Sequence, residues 1–404
     1  MAGDGTTAGV VDRRGFIAAG AVAVAAGVGA APAAAARDVG RRRVAIIGST
    51  GRGDYGHGLD VACTKVPGLE IVAVADGDEA GRAAARTRTG AARGYADFAV
   101  MLAEERPDLV VVCPRWIDRH HDMLLAAAGV GAHVYMEKPF CPTLAECDRV
   151  VEEFGRRRLK LGIAHISQYS PVLDVVRSLI AHDEIGEVLE LRARGKEDRR
   201  GGGEDLWVLG SHVLGLMRSL AGGDALSCTA LVRQEGEPVA AAHVATGAEG
   251  IGPLAGDDVQ ARFVMPGGAS GHFASRRGAG GRPSRFGIQV CGSKGVIEME
   301  SGYLRPAWLL RDAGWSTRSG SRWEPITSAG IGRPEGRTDG SYEGGHLAAL
   351  GDLIDAIEQD RATRCSAEDA RAITEMIAAV FESHRVGGPV SLPLANRINP
   401  LSLL

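Results

Sequence analysis

Two side chains of this 404-residue chain, Lys138 and His212, have the chemistry to move a proton. Lys138 follows an apolar run, Val134–Met136, which predicts the end of a buried β-strand. His212 follows Gly210-Ser211 near the start of a predicted helix. Ammonium and imidazole groups take up or release the proton of a reacting hydroxyl, so the two residues indicate general acid–base catalysis.

Each of these residues also has an ordinary structural interpretation. A lysine at a strand end is commonly a solvated partner of a neighbouring acid, here Glu137. A helix histidine is commonly a hydrogen-bonded core residue with no catalytic role. The catalytic interpretation therefore requires that the chain before Lys138 builds a cofactor site and that His212 lies opposite it.

A strand, a glycine-rich loop and a helix open the part of the chain that we expect to fold. Arg43–Ile47 is a short β-branched run, and the loop Gly48-Ser49-Thr50-Gly51-Arg52-Gly53 leads into a helical pattern. Such a loop brings helix N–H groups to the pyrophosphate of a dinucleotide. Aligned from the strand end, the fingerprint reads Gly48, Thr50, Gly53, without its middle glycine. Taken alone, the loop is equally typical of a tight strand-to-helix turn.

An acid at the end of the second strand strengthens the nucleotide interpretation. Glu70–Ala75 predicts a strand, and Asp76 follows it at a distance from the glycine loop that suits an acid binding the adenosine ribose hydroxyls. Its charge would repel the 2′-phosphate of NADP, although Arg52 and Arg82 could offset that repulsion. We therefore predict NAD as the cofactor and regard NADP as less favoured.

Strands and helices continue to alternate as far as residue 166, which predicts a parallel, doubly wound Rossmann sheet. Ligands of such sheets bind outside the carboxyl ends of the strands. The loops at those ends supply the remaining cofactor-site candidates, which are Pro114 and His120 after the fourth strand and Glu137 and Lys138 after the fifth. Trp116, in the same loop as Pro114, is a candidate wall for the nicotinamide.

From Pro171 onward the pattern becomes helices followed by short alternating strands. It predicts an α+β domain with a large open sheet that is mostly antiparallel. Ala313–Gly345 is glycine-rich and polar and predicts a long loop, and two helices close the chain. The predicted division is a signal peptide over residues 1–36, a Rossmann domain over 37–166, and a substrate-binding and oligomerisation domain over 167–404.

The first 36 residues have the pattern of an export signal. Asp12-Arg13-Arg14-Gly15-Phe16-Ile17 is a twin-arginine n-region, and an uncharged Ala/Gly/Val run extends from it to Ala36. The run is long enough to span a bilayer, but alanine and glycine insert poorly. We predict a cleaved twin-arginine (Tat) signal, an exported protein, and no stable membrane insertion after cleavage.

Composition argues against several other classes of function. A hydrophobic content of 45% and a charged content of 24% are ordinary for a soluble globular protein. A net charge of −4 and only 5% aromatic residues argue against nucleic-acid binding. The seven cysteines are odd in number and include no CxxC, so we expect buried thiols without a disulfide framework or zinc site. No other residue set has the spacing of metal ligands.

Taken together, these features resemble the Gfo/Idh/MocA oxidoreductase family over Arg42–Pro393. The motifs that carry the resemblance lie at strand ends and in loops of both predicted domains. They are Gly48–Gly53, Val74-Ala75-Asp76, Cys113-Pro114 with His120, His133–Pro139, Tyr169-Ser170-Pro171, Ile185–Val188, Gly201–Gly203 and Gly210-Ser211-His212.

The resemblance implies NAD(P)-linked oxidation or reduction of a sugar, cyclitol or related polyol. It also implies catalytic roles for Lys138 and His212, and homo-oligomers formed through the open sheet of the C-terminal domain. Two positions depart from the family pattern. Val208 stands where the family often has an aspartate, four residues before the histidine, and Gln168 stands where it often has an arginine.

The missing carboxylate has two candidate replacements on the preceding loop, Glu204 and Asp205, although loop acids are commonly just solvated. Tyr169 is a candidate substrate contact or a packing residue between the domains. The proton could be taken by Lys138, if its pKa falls from about 10.4 toward about 7–8. Alternatively, Lys138 donates a hydrogen bond and His212 is the base.

Three functions fit these features. The first is an exported NAD-dependent dehydrogenase of sugars or polyols. The second is a redox-neutral enzyme with tightly bound NAD, in which transient oxidation labilises a glycosidic bond and the hydride then returns. The third is a sugar-binding protein without turnover, which the departures at Val208 and Gln168 suggest.

Overall fold

The computed structural model describes residues 41–404, which form one compact unit. The predicted signal peptide, residues 1–36, lies outside the described residues. Within residues 41–404, no helix combines the length and apolar character needed to cross a bilayer.

The first half of this unit is a six-stranded parallel sheet with the strand order β3-β2-β1-β4-β5-β6. This is the doubly wound order whose switch point lies between β1 and β4, where the crevice for a ligand opens. The elements are β1 (Arg42–Ile47), α1 (Leu59–Thr64), β2 (Leu69–Ala75), α2 (Glu79–Thr89), β3 (Arg93–Tyr95), α3 (Phe98–Glu105), β4 (Leu109–Val112), α4 (His120–Gly129), β5 (His133–Met136), α5 (Leu144–Arg157) and β6 (Leu161–Ile163).

The second half has an eleven-stranded mixed sheet, mostly antiparallel with β7 and β13 as its parallel pair, and a separate two-stranded sheet formed by β10 and β11. Its elements are α6 (Pro171–Ala181), β7 (Val188–Arg194), α7 (Gly203–Asp205), α8 (Ser211–Leu220), β8 (Ser227–Gln234), β9 (Glu237–Pro238), β10 (Ala245–Thr246), β11 (Pro253–Leu254), β12 (Asp258–Val264), β13 (Ser270–Arg276), β14 (Gly287–Gly292), β15 (Val296–Glu300), β16 (Ala307–Leu310), β17 (Trp323–Thr327), β18 (Gly330–Ile331), α9 (Tyr342–Glu358), α10 (Ala367–Val386) and β19 (Val390–Ser391). The predicted fold class, a Rossmann sheet followed by an α+β domain with a large open sheet, is confirmed.

Sequence periods explain which faces are buried. Strand β4 and the last four residues of β1, Val44–Ile47, are apolar and buried because helices cover both faces of a parallel sheet. In β12, by contrast, Val259, Ala261 and Phe263 are buried while Gln260 and Arg262 are exposed, so one face of the large sheet is open. Helix starts follow local capping, as in the capping box of Thr143 and Glu146 that opens α5.

The prediction of one long loop over Ala313–Gly345 was wrong. This stretch contains β17 and β18, and α9 already begins at Tyr342 behind the cap Ser341. In β17 only Ile326 is buried, so the strand has no apolar run that could mark it in the sequence. Its hydrogen bonds to β16 hold it in the sheet instead.

Candidate active site

Lys138 leaves the end of β5 and points into the protein. It is 5% exposed, and its Nζ donates a hydrogen bond to the carbonyl of Val208 at 3.0 Å. An ammonium group has three protons to donate, so two remain for a ligand. The structure therefore excludes the solvated surface lysine that was the ordinary alternative.

Burial lowers the pKa of Lys138, because a low-dielectric environment disfavours the charged amine. The carboxylates of Glu137 and Glu249 oppose this shift, whereas the guanidinium groups of Arg200 and Arg115 add to it. The net direction is downward, which is the direction that a catalytic base requires.

Two histidines lie beside this lysine. The rings of His165, which follows β6, and His212, near the start of α8, have centroids 5.0 Å apart and meet edge to face. Burial and the charge of Lys138 lower the pKa of His165 to about 3 and hold that of His212 well below its usual value. Both imidazoles are therefore neutral at pH 7, and within residues 41–404 their Nδ1 atoms have no hydrogen-bond partner.

A π-helical segment, Leu206–Gly210, carries the carbonyl that binds Lys138. Such segments contain an extra residue in the turn and are frequent at functional sites. Here the segment places Val208 and His212 on the same side as Lys138. The position at which the family resemblance implies an aspartate thus contacts the lysine through its backbone.

Glu137 joins the end of β5 to the glycine loop. It is fully buried, and its Oε1 accepts a hydrogen bond from the backbone N–H of His57 at 3.0 Å and lies 2.5 Å from the Nδ1 of His57. Burial alone would raise the pKa of Glu137, but the contact with His57 and the charge of Lys138 outweigh it and leave the pKa at about 2. Glu137 is therefore ionised, and it links the loop after β5 to the loop after β1.

The glycine loop and the end of β2 fit a dinucleotide. Asp76 is buried, and its carboxylate accepts hydrogen bonds from the Thr50 N–H at 3.1 Å, the Thr50 hydroxyl at 2.7 Å and the Asp78 N–H at 3.0 Å. These bonds hold the Asp76 carboxylate at the end of β2 beside the glycine loop, where an acid of this fold meets the adenosine ribose of a dinucleotide. At Gly51, with φ +79°, open space surrounds the place where a side chain would begin.

Two later glycines allow the same loop to cross the neighbouring strand ends. A Cβ on Gly53 would overlap the backbone nitrogen of Arg115, and one on Gly56 would lie 2.7 Å from the carboxylate of Glu137. Both residues also have positive φ, at +86° and +62°. The loop thus packs directly against the loops after β4 and β5, as a crevice at the switch point requires.

The loop after β4 is fixed from two sides. The buried ring of His120 lies 2.8 Å from the Pro114 carbonyl and 2.9 Å from the Pro139 carbonyl, so it links the loops after β4 and β5. On the outer side, the Arg52 guanidinium stacks 4.5 Å from the Trp116 ring and pairs with Asp118. His120 therefore holds the two loops together, and Trp116 lies on the outer side of the loop after β4.

The remaining predicted contacts have different surroundings. Tyr169 is buried, and its hydroxyl donates to the Ile163 carbonyl at 3.2 Å, so it packs between the elements instead of facing Lys138. Asp205 is buried, and its carboxylate accepts a hydrogen bond from the Ser275 hydroxyl. Glu204 is half-buried, and the charges acting on it include those of Arg200 and Glu249.

Sequence reasoning missed three residues of this region, His57, His165 and Glu249. His165 was detectable, because it follows β6 directly and the strand-end rule that identified Lys138 applies to it. His57 lies in the glycine loop and had no motif to mark it. Glu249 lies in an irregular segment of the second domain, so only tertiary packing brings it near Lys138.

Two family models match the chain. One, described as the oxidoreductase family with an NAD-binding Rossmann fold, matches residues 42–165. The other, described as the C-terminal alpha/beta domain of the same oxidoreductase family, matches residues 177–392. Within residues 41–404, no group of three or more potential metal ligands occurs.

Individual curated relatives match only part of the chain, at about 30% identity. Inositol 2-dehydrogenase of Pseudomonas savastanoi pv. phaseolicola is 31% identical over 160 residues, or 38% of this chain and 47% of that protein. Glycosyl hydrolase family 109 protein 1 of Akkermansia muciniphila is 28% identical over 178 residues, or 40% of this chain and 36% of that protein. The chain thus aligns with less than half the length of these curated relatives.

The fold has close matches among solved structures. A levoglucosan dehydrogenase in complex with NADH and levoglucosan superposes with a TM-score of 0.70 at 18% identity, covering 87% of this chain and 100% of that chain. At this level of identity, the similarity shows the shared fold.

Proposed function

The chain belongs to the Gfo/Idh/MocA oxidoreductase family and has its NAD-binding Rossmann domain, and on that premise we propose an exported NAD-dependent oxidoreductase acting on a sugar, cyclitol or related polyol. The observation that supports the proposal most directly is the buried Lys138, which has two free N–H donors beside two neutral histidines. Inositol and levoglucosan, for which two of the similar proteins are named, are of the same chemical class.

The proposed cofactor site uses residues of the first domain. Asp76 would hold the adenosine ribose, and the loop Gly48-Ser49-Thr50-Gly51-Arg52-Gly53 would face the pyrophosphate. Pro114, His120 and Glu137 shape the loops around the nicotinamide end. When bound, NAD supplies the acceptor for a hydride from the substrate carbon.

The proposed proton chemistry belongs to Lys138 and its neighbours. Because its pKa is lowered, Lys138 has a larger neutral fraction near pH 7 than a solvated lysine and can take the proton of the substrate hydroxyl. His212 and His165 are neutral and have unpartnered Nδ1 atoms within the described residues, so either can hydrogen-bond that hydroxyl and orient it, whereas their lowered pKa values make both of them weak bases. In the reverse direction Lys138 returns a proton to a carbonyl oxygen.

A redox-neutral reaction is the second candidate. It is supported by the similarity to a protein named as a glycosyl hydrolase, because transient oxidation followed by hydride return can cleave a glycoside without net reduction of NAD. Both candidates need the same base and cofactor site, and they differ in whether reduced cofactor leaves the enzyme.

Export and assembly complete the proposal. The twin arginines Arg13 and Arg14 support transport of the folded protein by the Tat route, followed by cleavage near residue 36. The open face of the eleven-stranded sheet supports a homo-oligomer.

In the proposed division, residues 37–166 bring Lys138 to the site and residues 167–404 bring His212.

The test is a substrate panel with Lys138→Ala beside the parent protein. We expect NADH absorbance from at least one of myo-inositol, levoglucosan, free aldoses or nitrophenyl glycosides, and a loss of about 10²–10⁴-fold in turnover for the variant. Product without net NADH would select the redox-neutral reaction. Turnover by Lys138→Ala at the parent rate, or no turnover of any panel member by the parent, would refute the proposed catalytic function.

A further inference from the structure

Two loops of the second domain concentrate positive charge. Residues 194–200 lie at the end of β7, and residues 276–285 lead from the end of β13 to β14. Together they contain seven arginines, one lysine and two acids, a net charge of +6 in a chain whose total is −4. We call the surface that these two loops form the basic patch.

The two loops of the basic patch are bound to each other. The Gly278 N–H donates a hydrogen bond to the Asp198 carbonyl at 3.0 Å, and the Gly280 N–H donates to the Glu197 carbonyl at 2.8 Å. The Glu197 carboxylate is 1% exposed and accepts a hydrogen bond from the Arg285 guanidinium at 3.0 Å. Backbone contacts and a buried acid therefore hold the positive charges of both loops together.

The basic patch borders the active site. The Glu197 N–H donates to the Asp205 carboxylate at 3.0 Å, and Asp205 immediately precedes the π-helical segment of the site. At the end of the second loop the chain continues into Phe286, whose ring centroid lies 6.4 Å from that of His212, edge to face. Both loops are therefore attached to the elements that carry the reacting groups.

Two arginines of the basic patch have no acid to pair with. Arg199 and Arg277 are exposed, and neither forms an ion pair within residues 41–404, because the two acids of the patch are paired with its other arginines. Their backbones meet at one turn, since a Cβ on Gly201, just after Arg199, would lie 2.3 Å from the Cα of Arg277. Their positive charges are therefore available to a ligand at this turn.

The surface proposed for assembly does not use these two arginines. The concavity over the open face of the large sheet is lined by Arg276 and Arg285 of the basic patch, whereas Arg199 and Arg277 are not among its lining residues. A homo-oligomer formed through that face therefore leaves this part of the patch open.

The chemistry of the patch suits an anion. Guanidinium groups bind the oxygens of carboxylate, sulfate and phosphate groups through paired hydrogen bonds. A cluster of one charge sign beside an active site also raises the local concentration of substrates of the opposite sign. A neutral sugar gains from neither effect.

We propose that the substrate is an acidic sugar, and that Arg199 and Arg277 of the basic patch bind its anionic group while a hydroxyl of the same molecule lies at Lys138. This inference rests on the proposed function and narrows its substrate class from sugars and polyols in general to those with a carboxylate, sulfate or phosphate group.

The first test compares sugars with and without an anionic group. Glucuronate and galacturonate are compared with their neutral amides, and glucose 6-sulfate and glucose 6-phosphate are compared with glucose. For at least one acid we expect kcat/KM with NAD to be about 10- to 100-fold above that of its neutral partner. Calorimetric titration into the enzyme with NADH present should show the same preference, and the responding acid identifies the anionic group. No preference for any of these acids would overturn the inference.

Ionic strength provides an independent readout. Raising sodium chloride from about 0.02 M to about 0.2 M shortens the Debye length about threefold. The value of kcat/KM should therefore fall for the preferred acid much more than for its neutral partner. The same salt dependence for both sugars would contradict a role of the basic patch in binding.

The double variant Arg199→Gln/Arg277→Gln tests the two residues. We expect the ratio of kcat/KM for the preferred acid to that for its neutral partner to fall about 10-fold, whereas Arg199→Lys/Arg277→Lys, which keeps both charges, should retain most of it. The matched control is Arg149→Gln/Arg158→Gln, two exposed arginines of α5 and its C-terminal cap that also form no ion pair among the described residues. The control should leave the ratio unchanged.

The outcomes separate this inference from the proposed function. An unchanged ratio in Arg199→Gln/Arg277→Gln would overturn the inference, and so would a loss of NADH affinity without a change in the ratio, because the arginines would then serve the cofactor. Lys138→Ala tests catalysis alone: it should lose turnover and still bind the preferred acid more tightly than the neutral partner.

Discussion

At the scale of single residues, burial determines the chemistry of this site. Lys138 and His165 are almost fully buried, and burial is the largest cause of the lowered pKa of each. The same environment keeps the neighbouring imidazoles uncharged near pH 7. Lys138 is therefore not repelled by a second cation on either histidine.

We predict that the preference for NAD over NADP depends on Asp76. Replacing it with serine removes the carboxylate that would repel a 2′-phosphate, while the neighbouring Arg82 stays in place, with its guanidinium on the Asp76 backbone carbonyl. We expect the ratio of NADP to NAD affinity to rise about 10- to 100-fold in Asp76→Ser. Fluorescence titration with NADH and NADPH measures both constants, and an unchanged ratio would contradict the assignment of Asp76.

Stability in acid should depend on His346. Its Nδ1 lies 2.7 Å from the Tyr135 hydroxyl, and burial is the main cause that lowers its pKa from 6.5 to about 4. As the pH falls from about 6.5 to about 4, His346 becomes protonated in the unfolded chain but stays neutral in the folded protein. The free energy of unfolding therefore decreases across that pH range.

The variant His346→Gln removes this acid-sensitive group and retains a polar partner for Tyr135. The loss of unfolding free energy between pH 7 and pH 5 should therefore be about 2 kcal/mol smaller in the variant. Urea unfolding at the two pH values measures it. Equal losses in parent and variant would exclude His346 as a source of acid sensitivity.

At the scale of elements, the π-helical segment Leu206–Gly210 links the end of β5 to the start of α8. It offers the Val208 carbonyl to Lys138 and continues directly into α8, which carries His212. The extra residue of the segment sets the rotation of α8 relative to the preceding turn.

Deletion of Leu209 tests this geometry. Removing one residue turns the following helix by about 100°, so the Val208 carbonyl and His212 can no longer both face Lys138. We expect turnover to fall at least about 10²-fold while NADH binding, which depends on the first domain, is retained. Leu209→Ala, which preserves the length of the segment, should remain active. A folded deletion variant with normal turnover would show that the segment does not position the site.

At the scale of the whole molecule, the open face of the large sheet is the main surface without a covering layer among the described residues. A broad concavity of about 1180 Å³ lies over it, lined by residues of both charges such as Glu190, Arg192, Arg262 and Glu298. A surface with both charges can be complementary to itself across a two-fold axis. It is therefore the surface through which we propose that the protein assembles.

Charge reversal at Arg192 tests the assembly. Arg192 lies on β7, in the middle of the sheet, where it pairs with Glu190 and stacks on Trp315. Arg192→Glu adds negative charge beside Glu190, so we expect sedimentation of a smaller species than the parent. Arg106→Glu, an exposed change on the first domain, is the control and should leave the assembly unchanged. A monomeric parent would refute the proposal.

Much of this architecture was predictable because it depends on local patterns. The alternation of apolar runs with helical periods specified the parallel sheet, and the strand-end rule identified Lys138 and Asp76 from their positions in the chain. The capping box at Thr143 and Glu146 marked the start of α5. These signals lie within a few residues of the elements that they define.

The sequence by itself determined the fold class, the family and the strand ends from which a catalytic lysine would emerge. Only the tertiary structure decided that Lys138 is buried against Val208, that His165 joins His212, that Tyr169 turns away, and that Glu249 arrives from a distant irregular segment. The physical reason is that periodicity reports which face of an element is apolar. The pKa of a lysine and the partners of a carboxylate depend instead on contacts between residues far apart in the chain.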